Sequence, residues 1–178
     1  MRWFFDTEFI DTGCTINLIS IGLVSDEGTA YSACLSDGWE LAECDPWLTT
    51  HVLSRLPPHE ARKCRKQVSE EIVSLAGPKP EFWGYYSAYD WVALCQLVAP
   101  SGRMLDLPEG WPRLCFDLKQ FMILHGFEKT DLPSQDEATK HDVLSDAQWV
   151  KDSFQLVRQK LARRLARIGC LGGMPVLS

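Results

Sequence analysis

The hydrophobic positions near the start of the chain fall into three short runs. Trp3 to Phe9 is rich in aromatics and predicts a strand, closed by the turn signal Asp11-Thr12-Gly13. Ile16 to Val24 follows, with Asn17, Ser20 and Gly22 set among apolar residues, and Ser25-Asp26-Glu27-Gly28 marks the next turn. Thr29 to Leu35 gives a third strand. Spacings this short predict an antiparallel meander.

After residue 45 the pattern changes to helical spacing and chain breaks. Asp45-Pro46 opens a helix, with Asp as N-cap and Pro at the first helical position. Leu56-Pro57-Pro58 breaks the chain, and His59 to Leu75 reads as one charged helix ended by Gly77-Pro78. Glu81 to Tyr85 reads as a short buried strand. Asp90 to Val98 is helical, with Trp91, Leu94, Cys95 and Val98 at helical spacing. Ala99 to Pro112 reads as mostly loop, and Asp117 caps a helix through Leu124. A polar loop, Glu128 to Lys140, precedes the last helix, Asp142 to Ile168. Its apolar face carries Val143, Ala147, Val150, Phe154, Val157, Leu161 and Leu165. Three strands followed by helices interleaved with strands predict a mixed sheet flanked by helices, of class α/β or α+β. Residues 1–170 read as a single domain and 171–178 as a C-terminal tail.

Composition narrows the picture. The chain has 178 residues, 46% of them hydrophobic and 24% charged, as in an ordinary soluble domain. No apolar stretch nears the ~18 residues that span a bilayer. Asp6 and Glu8 interrupt the apolar start, so it is no secretory leader. The net charge of −6 excludes a domain that coats nucleic acid by bulk electrostatics. It does not exclude an enzyme that grips nucleic acid through metal ions, because carboxylates that bind metal count as negative. The seven cysteines are scattered and form no C-x-x-C, which points to reduced thiols and a cytoplasmic protein rather than a zinc site or disulfide framework.

The chemistry sits in a few acids. Asp6 and Glu8 are two apart on the first strand and therefore share a face. Either both acids face water, or a polyvalent cation holds them together against their mutual repulsion. Asp90 stands at a helix start, where an N-cap role is the ordinary one. His141 and Asp146 have the spacing H-x-x-x-x-D, and Asp146 lies among Val143, Leu144, Ala147 and Val150, near the face that packs on the sheet.

Asp6, Glu8, Asp90 and Asp146, with His141 upstream of the last acid, resemble the four acids and histidine of the DEDDh 3′-to-5′ exonucleases, a family of ribonuclease H-like fold. Phe5-Asp6-Thr7-Glu8-Phe9-Ile10-Asp11, Leu18-Ile19-Ser20-Ile21-Gly22, Tyr85-Tyr86-Ser87-Ala88-Tyr89-Asp90-Trp91 and Gly110-Trp111-Pro112 are similar to the ribonuclease AS group of that family. Many DEDDh enzymes carry D-x-E-T-T-G. Here Phe9 and Ile10 follow Glu8, and Gly13 comes later, which fits the ribonuclease AS group better.

The resemblance implies a ribonuclease H-like fold and a metal-dependent exoribonuclease that shortens single-stranded RNA from its 3′ end, with adenylate-rich ends as the implied substrate. It implies two Mg²⁺ ions, replaceable by Mn²⁺, held by Asp6, Glu8, Asp90 and Asp146, with Asp6 bridging. Such a pair stabilises attacking and leaving oxygens together. It makes His141 the general base, a role suited to an imidazole near neutral pH. It also implies a homodimer. Phe9, beside the acids, is the candidate contact to the terminal base, since single strands are held by stacking on aromatics. Trp91 and Trp111 read better as packing residues. Arg158, Lys160, Arg163, Arg164 and Arg167 near the C-terminus serve either RNA or the helix dipole. Two other readings stay open: a DNA exonuclease with the same site, and a non-catalytic module that binds nucleic acid.

Overall fold

The computed structural model describes residues 1–172 apart from 100, 102, 104 and 105, with side chains to residue 167 in the last helix. The expected meander is present: β1 (Arg2–Asp11), β2 (Ile16–Ser25) and β3 (Ala30–Cys34) pair antiparallel in sequence order. β4 (Glu81–Gly84) joins β1 in parallel on its other side, and β5 (Phe116–Asp117) extends the sheet beyond β4. The strand order β3-β2-β1-β4-β5 makes the sheet mixed and puts β1 at its centre.

Alternation along β1 feeds two cores. Trp3 and Phe5 point to one face, where α2 (Arg65–Ala76) and α3 (Ala88–Val98) supply Val68, Ile72, Leu94 and Val98. Phe4 points to the other face, against Leu118 and Met122 of α4 (Leu118–Leu124) and Val150, Phe154 and Val157 of α5 (Val143–Gly172). Burying each of these large side chains is worth roughly 1.5–3 kcal/mol, which ties both helical layers to the central strand. A third, smaller cluster joins Ile10 and Ile19 to Leu48 of α1 (Pro46–His51) and to Val52 just after it.

Two caps behave as the sequence expects. Asp45 accepts from Leu48 N at 2.7 Å, and Asp117 accepts from Gln120 N at 2.8 Å. Other expectations need correction. His59 to Leu75 is not one helix. A single 3₁₀ turn covers His59–Ala61, and α2 starts at Arg65. Between them Lys63 N–H donates to Cys34 O and Lys63 O accepts from Ser36 N–H, so the sheet edge recruits this backbone into a bridge with Leu35. β5 is only two residues long and carries no periodicity to read. Leu165 is 59% exposed, because α5 runs on past the layer that buries its earlier apolar positions. Part of the expected 99–112 loop and most of the 171–178 tail lie outside the described residues.

One glycine sets the approach of α5. At Gly22, opposite Asp6 on β2, a Cβ would sit 2.1 Å from the Val143 carbonyl oxygen. Only a residue without a side chain lets the N-terminus of α5 descend this far onto the sheet.

Candidate active site

β1 and β4 pair only as far as Phe4 and Trp83, and β4 ends at Gly84. Beyond that point β1 stays paired with β2 but has no strand on its β4 side. The space is filled by the N-terminus of α3, whose backbone turns at Tyr86 and enters the helix from Ser87. Asp90 lies in the first turn of α3 but is not its N-cap. Its Oδ1 accepts from Thr7 N at 3.1 Å and from Thr7 Oγ1 at 2.5 Å. The free edge of β1 therefore holds Asp90 in place through the residue that separates Asp6 from Glu8.

Asp6 and Glu8 share the face of β1 that α5 covers. Just after Glu8 the ladder slips: Glu8 pairs with Ser20 but Phe9 with Leu18, leaving Ile19 as an extra residue. Such bulges re-aim neighbouring side chains. At the start of α5, Asp146 Oδ2 accepts from His141 N–H at 2.9 Å, and Asp146 Oδ1 accepts from Gln135 Nε2 at 2.5 Å. His141 has φ +66°, which turns its ring back toward β1, and its Nδ1 stands 3.3 Å from Glu8 Oε1. Asp6, Glu8, Asp90, His141, Asp146 and Phe9 all line one cavity of about 300 Å³, together with Tyr85, Tyr86, Lys129, Lys140 and Trp149.

Electrostatics mark this cavity as unusual. Glu8, Asp90 and Asp146 are each only 8% exposed. Burial, reinforced by Asp90, Asp146 and Glu8, pushes the Asp6 carboxyl well above the usual carboxylate range. Burial and the charges of Asp146 and Asp90 push Glu8 up to about 8. Burial raises Asp90 to about 6 against the Thr7 hydrogen bonds, and raises Asp146 as well. Burial lowers His141 and favours the neutral imidazole, against the pull of Asp146. Among the described residues, no lysine or arginine comes within 4.0 Å of any of the four acids. Ligand atoms of Glu8, His141 and Asp146 all lie within 4.8 Å of one another. Oxygen-rich, like-charged and buried, the donor set fits hard divalent cations.

The other sequence candidates lie elsewhere. Trp91 and Trp111 pack around Phe82 in the core, and Trp111 Nε1 donates to Gly77 O. In the tail, Lys160 pairs with Asp131, while Arg158 and Arg164 lie over Phe154 and Phe127. Sequence reasoning missed Thr7 and Gln135. Thr7 was signalled only by its place inside D-x-E, and Gln135 by nothing beyond a polar loop.

No family model matches the chain. Two curated proteins, from two strains of Mycobacterium tuberculosis, are each described as a 3′-5′ exoribonuclease. Each is 38% identical over 163 residues, covering 88% of this chain and 93% of the relative. The chain belongs to this 3′-5′ exoribonuclease family. Among solved structures, zinc-bound Escherichia coli exonuclease I with single-stranded DNA has a TM-score of 0.65 at 15% identity, over 93% of this chain and 42% of that one. Exonuclease I with a dA16 oligonucleotide has a TM-score of 0.59 at 16% identity, over 91% and 41%. These likenesses show the ribonuclease H-like exonuclease fold, and this chain spans about two fifths of those neighbours' length. The exoribonuclease has no helix, among its described residues, long and apolar enough to cross a membrane.

Proposed function

We propose that the protein hydrolyses single-stranded RNA from its 3′ end to nucleoside 5′-monophosphates, at the cavity between β1, α3 and α5, with divalent cations. The observation that carries this reading is the convergence of four acids, three of them buried, and one histidine, from three separate elements and a loop, on one cavity where, among the described residues, no lysine or arginine lies within 4.0 Å of any of the acids. Asp6, Glu8, Asp90 and Asp146 would hold two Mg²⁺ ions, with Mn²⁺ able to substitute. When bound, such ions neutralise the scissile phosphate and stabilise the charge that develops on both sides of the breaking bond.

The side chains around them set the rest. His141, 25% exposed and favoured as the neutral imidazole, takes the proton from the attacking water. Its N–H bond to Asp146 fixes its backbone relative to the acids. Thr7 keeps the Asp90 carboxylate aimed into the cavity. Phe9 stacks with Tyr89, rings 6.0 Å apart and 27° from parallel, and presents an aromatic surface at the cavity rim for the terminal base. Adenylate-rich 3′ ends are the substrate that the ribonuclease AS resemblance favours.

The test is a time course on a 5′-labelled adenylate oligomer, its uridylate counterpart and the matching DNA, with Mg²⁺ or with EDTA. The reading expects a metal-dependent ladder that shortens from the 3′ end, faster on RNA than on DNA and fastest on adenylate. A ladder on DNA alone would reassign the substrate. No cleavage by folded protein with Mg²⁺ or Mn²⁺ would leave a binding module.

A further inference from the structure

His141 sits in a backbone conformation that non-glycine residues avoid, at φ +66°. Such a conformation is disfavoured for a residue with a side chain and persists only where the surroundings over-determine it. One restraint is the His141 N–H bond to Asp146. The others come from the segment 46–55. The Arg55 guanidinium donates to the Lys140 carbonyl, the peptide group immediately before His141. The Trp47 ring stands edge-on against the His141 ring, centroids 4.8 Å apart. Trp47 in turn stacks on His51, also at 4.8 Å, and Trp47 O lies 2.9 Å from His51 Nδ1. The segment is anchored at its base, where Leu48 and Val52 pack on Ile10 and Ile19 beside the bulge that follows Glu8.

We propose that Arg55 and Trp47 are positioning residues for His141. They form a bracket that references the histidine to the strand carrying Asp6 and Glu8, Arg55 by fixing the peptide and Trp47 by walling the ring. Arg55 is exposed and Trp47 is 45% exposed, so neither is needed to fill a core. Arg55 contributes one donor to a backbone carbonyl, and that bond matters because a base displaced by about 1 Å loses rate steeply. The proposal rests on the reading of His141 as general base.

The experiment is a kinetic double-mutant cycle on the full chain with an adenylate oligomer and saturating Mg²⁺. Arg55→Ala should lower kcat about tenfold or more, leave KM within about twofold, and leave the thermal midpoint unchanged. Trp47→Ala should act in the same sense. Millimolar guanidinium should restore part of the Arg55→Ala rate. In the His141→Ala background, Arg55→Ala should cost nothing further, because it acts through the missing ring.

Unchanged kcat in Arg55→Ala, with His141→Ala inactive, overturns the bracket and leaves the general base standing. A KM effect of Arg55→Ala that persists in the His141→Ala background also overturns it, and makes Arg55 an RNA contact instead. Full activity in His141→Ala removes the general-base reading itself, and the bracket with it. If Trp47→Ala does not fold, Trp47→Phe replaces it, with partial retention of kcat expected.

Discussion

Two carboxylate clusters in this molecule share chemistry and differ in everything else. At the sheet edge, Glu71 of α2 accepts from Lys63 Nζ at 2.6 Å, from Tyr31 Oη at 2.7 Å and from Gln67 Nε2 at 2.9 Å. The Lys63, Tyr31 and Gln67 hydrogen bonds pull its carboxyl down to about 2. In the cavity, Glu8 is pushed the other way, to about 8, by burial and by the charges of Asp146 and Asp90. One acid has all its partners within the chain and pins the 63–71 segment to β3. The other is held among like charges with, among the described residues, no lysine or arginine within 4.0 Å of it. Stability is sacrificed in the cavity and retained at the edge, the pattern expected when a site is completed by something the chain does not itself supply.

The largest expected effect separates activity from stability. Asp6→Asn should reduce 3′-to-5′ cleavage by roughly 10³-fold or more while raising the thermal midpoint of EDTA-treated protein, since one repelling charge disappears. Glu71→Gln should leave the rate within about twofold. A slower Glu71→Gln, or a destabilised Asp6→Asn, would break the contrast.

Gly22→Ala comes next. The added methyl meets the Val143 carbonyl, so α5 must lift. Overpacking of this kind costs typically ~1–3 kcal/mol. The sharper expectation is that Asp146 is displaced and the stabilisation by cations shrinks, while the Glu71 cluster is unaffected. Denaturant melts with and without Mg²⁺ check both.

Cations should raise the melting temperature of the wild type. A ligand at ~100 times its Kd stabilises by about 2.7 kcal/mol, or roughly 5–10 °C for a chain of this size. Asp6→Asn should lose most of that shift by differential scanning fluorimetry.

The smallest effect carries opposite signs at the two clusters. Glu71 is depressed, so its stabilisation is present above its ordinary value of 4.5 and is lost as pH falls toward about 2. Its side chain is 33% exposed and screened, so Glu71→Gln should cost about 1 kcal/mol at pH 7 and nothing below pH 2. Glu8 is raised, so its protonated form stabilises metal-free protein below its ordinary value of 4.5. That contribution is lost as pH rises through about 8. Glu8→Gln should therefore gain on the wild type as pH climbs, in EDTA, by pH-resolved chemical melts.

The contrast also shows what a sequence exposes. The meander and the caps at Asp45 and Asp117 were legible because alternation and capping are local. Asp6 and Glu8 stood out as charges on an apolar strand and Asp146 as an acid among apolar helix positions, while Asp90 and His141 were joined to them by the resemblance to the DEDDh exonucleases. Thr7 was not. Its role depends on β4 stopping at Gly84, a residue 77 positions away in the chain. The start of α2 was misread for a similar reason. His59 to Lys63 has helix-compatible composition, and only the open edge of β3 draws it into a bridge. Arg55 is an exposed arginine in a short helical turn, and no local pattern marks its reach to Lys140.

The order of the elements along the chain has one further consequence. Asp6 and Glu8 are made first, Asp90 midway, and His141 and Asp146 only when most of the chain exists. The helix that seals the cavity, α5, is made last. A polypeptide truncated before residue 141 lacks an acid, the histidine and the wall that desolvates the rest. On the proposed function, the complete set of acids and the histidine exists only once the chain has reached the start of α5.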